Sequence, residues 1–63
     1  MPADDSREIY FEFTVIGSAV KVVAIDALTG TEVSVMGPAS AAQADLERLA
    51  LQKLKLRLAR ESR

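Results

Sequence analysis

The β-branched residues and the leucines occupy different halves of this chain. All nine Val and Ile residues lie between Ile9 and Val35, and six of the seven Leu residues lie between Leu46 and Leu58. β-branched side chains favour strands, whereas Leu has a high helix propensity. The first half of the chain is therefore predicted to form a sheet and the second half a helix.

Three glycines divide the first half into strand-like runs. Gly17 and Ser18 are typical of a two-residue hairpin with a type II′ turn. Gly30 is suited to the left-handed residue that closes a four-residue loop, with Asp26 bonding to backbone N–H groups ahead of it. Gly37, which is followed by proline, is expected to end the last strand. The strands are therefore predicted at residues 8–16, 19–26 and 31–36.

The registers set by the two turns agree with each other. The first turn pairs Phe13 with Val22, and the second pairs Val22 with Val35. Alternation then gives one face, here called the inner face, that is entirely apolar: Ile9, Phe11, Phe13, Val15, Val20, Val22, Ala24, Val33 and Val35. The outer face receives Tyr10, Glu12, Thr14, Ile16, Ala19, Lys21, Val23, Ile25, Glu32, Ser34 and Met36. This pattern predicts a three-stranded antiparallel meander.

The second half of the chain is predicted to form one helix over residues 41–60. Ser40 and Gln43 match a capping box, with Ser40 as the N-cap. Acidic residues come early in this segment and basic residues late, as the helix macrodipole favours. The predicted fold is therefore α+β, in the order β-β-β-α, with the helix across the inner face at Phe11 and Phe13.

A chain of 63 residues is long enough for one domain. Residues 8–63 are assigned to that domain, and the polar residues 1–7 are expected to form a flexible tail. No stretch approaches the ~20 apolar residues that span a bilayer, and the first residues lack the apolar core of a signal peptide. We therefore expect a soluble, cytoplasmic protein.

The composition excludes several kinds of chemistry. The chain has no Cys and no His, which rules out disulfides, zinc sites of the Cys or His type, and catalysis by imidazole or thiolate. Glu12 and Glu32 share the outer face with Lys21, and we interpret them as cross-strand charge pairs. No glycine-rich loop of the phosphate-binding kind is present. The chain is therefore predicted not to be an enzyme, with no catalytic, cofactor-binding or metal-binding residue.

Leucines lie on two sides of the predicted helix. Leu46, Leu49 and Leu56 form one stripe. Leu51, Leu54 and Leu58 form a second stripe roughly 120–160° away. A sheet covers one stripe of about 100°, and the spacing leaves open which stripe faces it. The other stripe stays uncovered, as does the apolar part of the outer face. The surface predicted to mediate association consists of Leu51, Leu54, Leu58, Val23, Ile25 and Met36.

An uncovered surface of this kind favours binding to another protein chain. The preferred function is therefore a small, non-catalytic interaction module that forms a homodimer or binds another protein. A small domain without disulfide or metal often gains stability by oligomerising, which favours the homodimer.

Two alternatives remain at this stage. Residues 1–39 sum to a charge of −4, from two basic and six acidic residues, and residues 40–63 sum to +3, from six basic and three acidic residues. The first alternative is a nucleic-acid-binding adaptor, whose phosphate contacts would be Lys53, Lys55, Arg57, Arg60 and Arg63. The acidic start of the helix makes it the weaker hypothesis. The second alternative is a small-molecule-binding or accessory enzyme subunit that uses the outer face around Lys21.

One pattern in the sheet half is specific enough to be compared with known sequences. It reads Ala-Ile-Asp-x-x-Thr-Gly-Thr-Glu-Val from Ala24 to Val33, followed by Gly-Pro-Ala-Ser from Gly37 to Ser40. With these segments, the chain resembles a family of short bacterial proteins of unknown function. The resemblance covers nearly all of the chain after residue 7. It implies one compact unit and brings no activity, cofactor or catalytic residue with it.

Overall fold

A computed structural model describes residues 8–61 and has the predicted order of elements. The strands are β1 (Ile9–Ile16), β2 (Ala19–Asp26) and β3 (Glu32–Pro38), and the helix is α1 (Gln43–Glu61). The strands form one antiparallel sheet in the order β1-β2-β3, and α1 packs on it. The predicted α+β fold is confirmed. The predicted flexible tail lies outside the described residues.

The predicted strand register is confirmed on both sides of β2. Phe13 pairs with Val22, and Val22 pairs with Val35. Gly17, at the first central position of the β1–β2 turn, has a φ of 60°, as a type II′ turn requires. Two short turns therefore decide which side chains share each face of the sheet.

The loop between β2 and β3 is held by the buried side chain of Asp26. Its Oδ2 atom accepts hydrogen bonds from the backbone N–H of Thr29 (3.1 Å) and from the Thr29 hydroxyl (2.7 Å). The Gly30 N–H donates to the Asp26 carbonyl at 2.7 Å, with Gly30 at a φ of 79°. The Asp26 N–H donates to the Thr31 carbonyl at 2.9 Å. The predicted four-residue loop with a left-handed Gly30 is confirmed.

The end of β3 differs from the prediction. The strand continues past Met36, because Gly37 pairs with Val20 on β2. A Cβ atom added to Gly37 would lie 2.5 Å from Leu46 Cδ2 at the start of α1. Gly37 therefore does not stop the strand: it lets the strand pass close beneath the helix.

The start of the helix also differs from the prediction. The Ala41 N–H donates to the Pro38 carbonyl (2.9 Å), which closes a turn that contains Ser40. Because Ser40 lies in this turn, it is not the N-cap, and the predicted capping box is wrong. The helix begins at Gln43, two residues later than predicted, and the described helix ends at Glu61.

The helix packs on the sheet through a face that combines parts of both predicted stripes. Leu46 comes from the first stripe, Leu54 and Leu58 come from the second, and Ala50 lies between them. The spacing is four residues throughout, which keeps these side chains on one side of the helix. The core consists of Val22, Ala24, Val33, Leu46, Ala50 and Leu54.

The helix lies over β2 and β3 and leaves β1 largely uncovered. It packs on the inner face, as predicted, but towards one side of it. Phe11 and Phe13 are therefore only half-buried, and Val15, at the end of β1, is 70% exposed.

Two polar contacts fix the helix against the sheet. The Lys53 ammonium donates to the Ser34 carbonyl on β3 at 2.7 Å. Near the end of the helix, the Thr31 hydroxyl donates to Glu61 Oε1 at 2.9 Å. Both contacts are exposed and follow from the rotation of the helix that the apolar core sets.

Leu54→Ala should destabilise the domain by about 2–5 kcal/mol, because Leu54 is fully buried at the centre of the core. Leu56→Ala is the matched control: this side chain on the same helix is 64% exposed, and its loss should change stability by less than about 0.5 kcal/mol. Urea denaturation followed by circular dichroism measures both values. Equal losses of stability in the two variants would mean that the helix faces the sheet through other residues.

Gly30→Val should destabilise the domain by more than about 1 kcal/mol, because a β-branched residue resists a positive φ. An added Cβ meets no atom within 4 Å, so steric clash with neighbours plays no part. Gly30→Asn should be milder, because Asn tolerates the left-handed conformation. A melting temperature that is the same for Val and Asn would contradict this account.

Candidate functional site

The outer face of the sheet is not covered by any described element. Tyr10, Ile16 and Met36 are more than half exposed there, and Val23 and Ile25 are half-buried between their neighbours. Polar side chains surround these residues, since Val23 pairs with Glu12 on one side and with Ser34 on the other. The sheet half of the predicted association surface is therefore accessible.

The helix half of the predicted association surface lies elsewhere. Leu54 is fully buried against the sheet, and Leu51 and Leu58 are half-buried beside it. These residues contribute to the interior of the domain, so the assignment of Leu54 to an exposed surface is corrected. The leucines that α1 leaves exposed are Leu49 and Leu56.

An open groove runs between β1 and the near side of α1. Its floor includes Phe11, and its helix wall consists of Ala44, Glu47, Arg48 and Leu51, around a depression of about 310 Å³. Sequence reasoning missed this groove because it assumed that the helix would lie over β1. It results from the displacement of the helix towards β2 and β3.

The two edges of the sheet differ in their polar contacts. The backbone bond from Asp26 to Thr31 fixes the pairing so that odd-numbered residues of β3 bond to β2. The Ser34 carbonyl therefore points away from the sheet, where Lys53 bonds to it. Pro38, at the end of the same strand, has no N–H to donate. A lysine and a proline thus protect the β3 edge.

Four of the five cations predicted to contact nucleic acid lie on the described part of α1, and two of them make contacts within the domain. Lys53 bonds to a backbone carbonyl, and Arg57 Nη1 lies 3.9 Å from Glu61 Oε2. Lys55 is about 200° around the helix from Arg57, and Arg60 is exposed near the end of the described helix. Arg63 lies outside the described residues. Of the predicted nucleic-acid contacts, Lys53, Arg57 and Arg60 therefore lie within about 60° on one side of α1, where two of them are engaged within the domain, and Lys55 lies on the opposite side.

The second alternative placed a binding site on the outer face around Lys21. Lys21 lies in the middle of the outer face, between Thr14 and Met36 on the neighbouring strands. Its ammonium makes no hydrogen bond or ion pair with any residue from 8 to 61.

Within the same residues, no three acidic side chains come close enough to hold a metal ion. As for the bilayer, no helix in this part of the chain is long and apolar enough to cross one.

A comparison with protein families gives one match that covers nearly the whole chain. Residues 6–61 match the family described as Domain of unknown function (DUF6898). The chain belongs to this family, which confirms the resemblance to a family of unknown function. No curated protein and no solved structure matches the chain.

Tyr10, on the outer face, should titrate at an unusually high pH. Its hydroxyl donates to Glu8 Oε1 (3.0 Å), and this bond, with the charge of Glu8, raises the pKa of Tyr10 above its ordinary value of 10.0. Tyr10 is the only tyrosine and the chain has no tryptophan, so the phenolate absorbance reports on it alone. Glu8→Ala should lower the pKa of Tyr10, whereas Glu12→Ala should leave it nearly unchanged. An equal pKa in wild type and Glu8→Ala would show that the bond does not form.

Proposed function

We propose that this domain is a non-catalytic interaction module that associates with a second copy of itself. The observation that supports this proposal is the amount of apolar surface that α1 leaves uncovered. On the inner face, Val15 is exposed and Phe13 is half-buried; on the outer face, Tyr10, Ile16 and Met36 are exposed. Exposed apolar side chains on both faces of one small sheet form more apolar surface than a monomeric domain usually exposes.

The small core supports the same proposal. Among the described residues, six apolar residues are buried, and two of these are alanines. The largest apolar side chains that are fully buried are those of Leu54 and Val22. A chain of this length buries only about 60% of its unfolded surface, so its stability is small. Burying further apolar surface against a second copy would raise that stability.

A second copy is preferred to a different partner because of symmetry. In a two-fold dimer each chain uses the same patch, so one surface satisfies both partners. We further propose that the dimer acts in the cytoplasm of a bacterium, a setting that rests on the resemblance to short bacterial proteins.

The association can be measured by light scattering from micromolar to millimolar concentration. The mass should rise from the monomer value of 6.8 kDa towards twice that value, and the melting temperature should rise with it. Added duplex RNA should leave the elution position of the protein on a size-exclusion column unchanged, which separates this function from the nucleic-acid alternative. A mass that stays at 6.8 kDa at the highest concentration would refute self-association.

A further inference from the structure

In the part of the chain that the structure describes, no strand pairs with the outer edge of β1, which carries a row of backbone groups. The Ala27 N–H donates to the Glu8 carbonyl at 3.0 Å, so the even-numbered residues of this strand bond towards β2. The odd-numbered residues direct their N–H and C=O groups away from the sheet. These residues are Ile9, Phe11, Phe13 and Val15.

No protective feature of the kind found on β3 occurs on β1. Its sequence from Ile9 to Ile16 contains no lysine and no proline, and its one charged residue is Glu12. A long apolar edge strand of this kind is a template for pairing with another strand, and proteins usually block such edges. Among residues 8–61, Lys53 and Pro38 protect one edge of the sheet, and no residue covers the other edge.

We propose that β1 of one chain pairs antiparallel with β1 of a second copy, about a two-fold axis through Phe13. The two three-stranded sheets then join into one continuous sheet of six strands. This inference rests on the proposed self-association and names the surface that performs it. The occupant of the edge is a second copy because β1 is complementary to itself when the two strands are centred on Phe13.

The outward-facing groups limit the possible registers. Hydrogen bonds across the new ladder must join odd-numbered residues to odd-numbered residues. The two-fold axis therefore lies between a residue of β1 and the same residue of the partner strand, and an axis through a residue is used here in that sense. An axis through Glu12 would place the two Glu12 carboxylates opposite each other, and like charges in that position are destabilising. An axis through Phe13 moves Glu12 opposite the partner's Thr14 and so removes this repulsion.

The register centred on Phe13 also matches apolar side chains. On the inner face, Phe13 meets the partner's Phe13 and Val15 meets the partner's Phe11. On the outer face, Tyr10 meets the partner's Ile16. Aromatic and β-branched cross-strand pairs are the stabilising pairs of antiparallel sheets. Val15, Tyr10 and Ile16, which are exposed in the single domain, each gain an apolar neighbour.

The helices do not obstruct this pairing. Because α1 lies over β2 and β3, the two helix axes of the dimer would be about four strand spacings apart, or roughly 19 Å. Packed helices are about 8–10 Å apart, so the helices of the two copies do not collide. The uncovered position of β1, which leaves Val15 exposed, is therefore what permits the joint sheet.

Two matched variants test the edge. Val15→Lys places a cation on β1 opposite the partner's Phe11 and should raise the dimer dissociation constant by at least about tenfold. Met36→Lys makes the same chemical change on the outer face of β3, where the residue is 57% exposed, and should leave the dissociation constant nearly unchanged. Light scattering measures the constants, and circular dichroism verifies that both variants fold.

Hydrogen exchange supplies a second measurement that does not depend on substitution. In concentrated wild-type protein, the amides of Phe11, Phe13 and Val15 should exchange more slowly than in dilute protein. The outward-facing amides of Ser34 and Met36 on β3 serve as the control and should not change with concentration. Concentration-independent exchange at Phe13 in a protein that dimerises would overturn the proposed edge.

The outcomes separate this inference from the proposed function. If wild type dimerises and Met36→Lys dissociates it while Val15→Lys does not, the outer face is the interface: self-association stands and the β1 edge is refuted. If both variants dissociate, slow exchange at Phe11, Phe13 and Val15 upholds the edge, and fast exchange there refutes it. If wild type stays monomeric throughout, both proposals fail.

Discussion

A single helix can cover only two strands of a three-stranded sheet. With its side chains a helix is about 10–12 Å across, and neighbouring strands lie about 4.8 Å apart. Because α1 lies over β2 and β3, the fully buried strand residues Val22, Ala24 and Val33 all belong to those two strands. The half-exposed inner side of β1 and the groove beside the helix both follow from this geometric limit, whereas the backbone edge of β1 follows from the open strand order.

Small residues determine where the helix lies. Ala24 on β2 and Ala50 on α1 are both fully buried, and Gly37 on β3 lies directly beneath Leu46. With little side-chain volume between them, the helix backbone can approach β2 and β3 closely, whereas the phenylalanines of β1 would hold it further away. The close approach has a cost, because a core built around Ala and Gly buries little apolar area and contributes little stability.

The sheet could be predicted in detail because its register depends on local chemistry, namely Gly17 in one turn and Asp26 with Gly30 in the other. The rotation of the helix about its axis could not be predicted. Its six leucines lie on nearly all sides of the helix, and only the opposing strands select which of them are buried. The helix start was misplaced since the turn after Pro38 overrode the signal of Ser40. The residues of the exposed outer face could be predicted from the alternation of side chains along the strands. The contact of Lys53 with Ser34 could not be predicted, because it depends on the rotation of the helix and had no signal in the sequence.

The order of the elements along the chain has a consequence for biosynthesis. Leu46, Ala50 and Leu54 supply half of the buried apolar residues, and all three follow the sheet in the chain. Until α1 docks, the three strands have no partner for their inner face. In that interval the chain displays Val22 and Val33 as well as the edge of β1. The interval between synthesis of β3 and docking of α1 is therefore when this protein is most exposed to aggregation and to capture by chaperones.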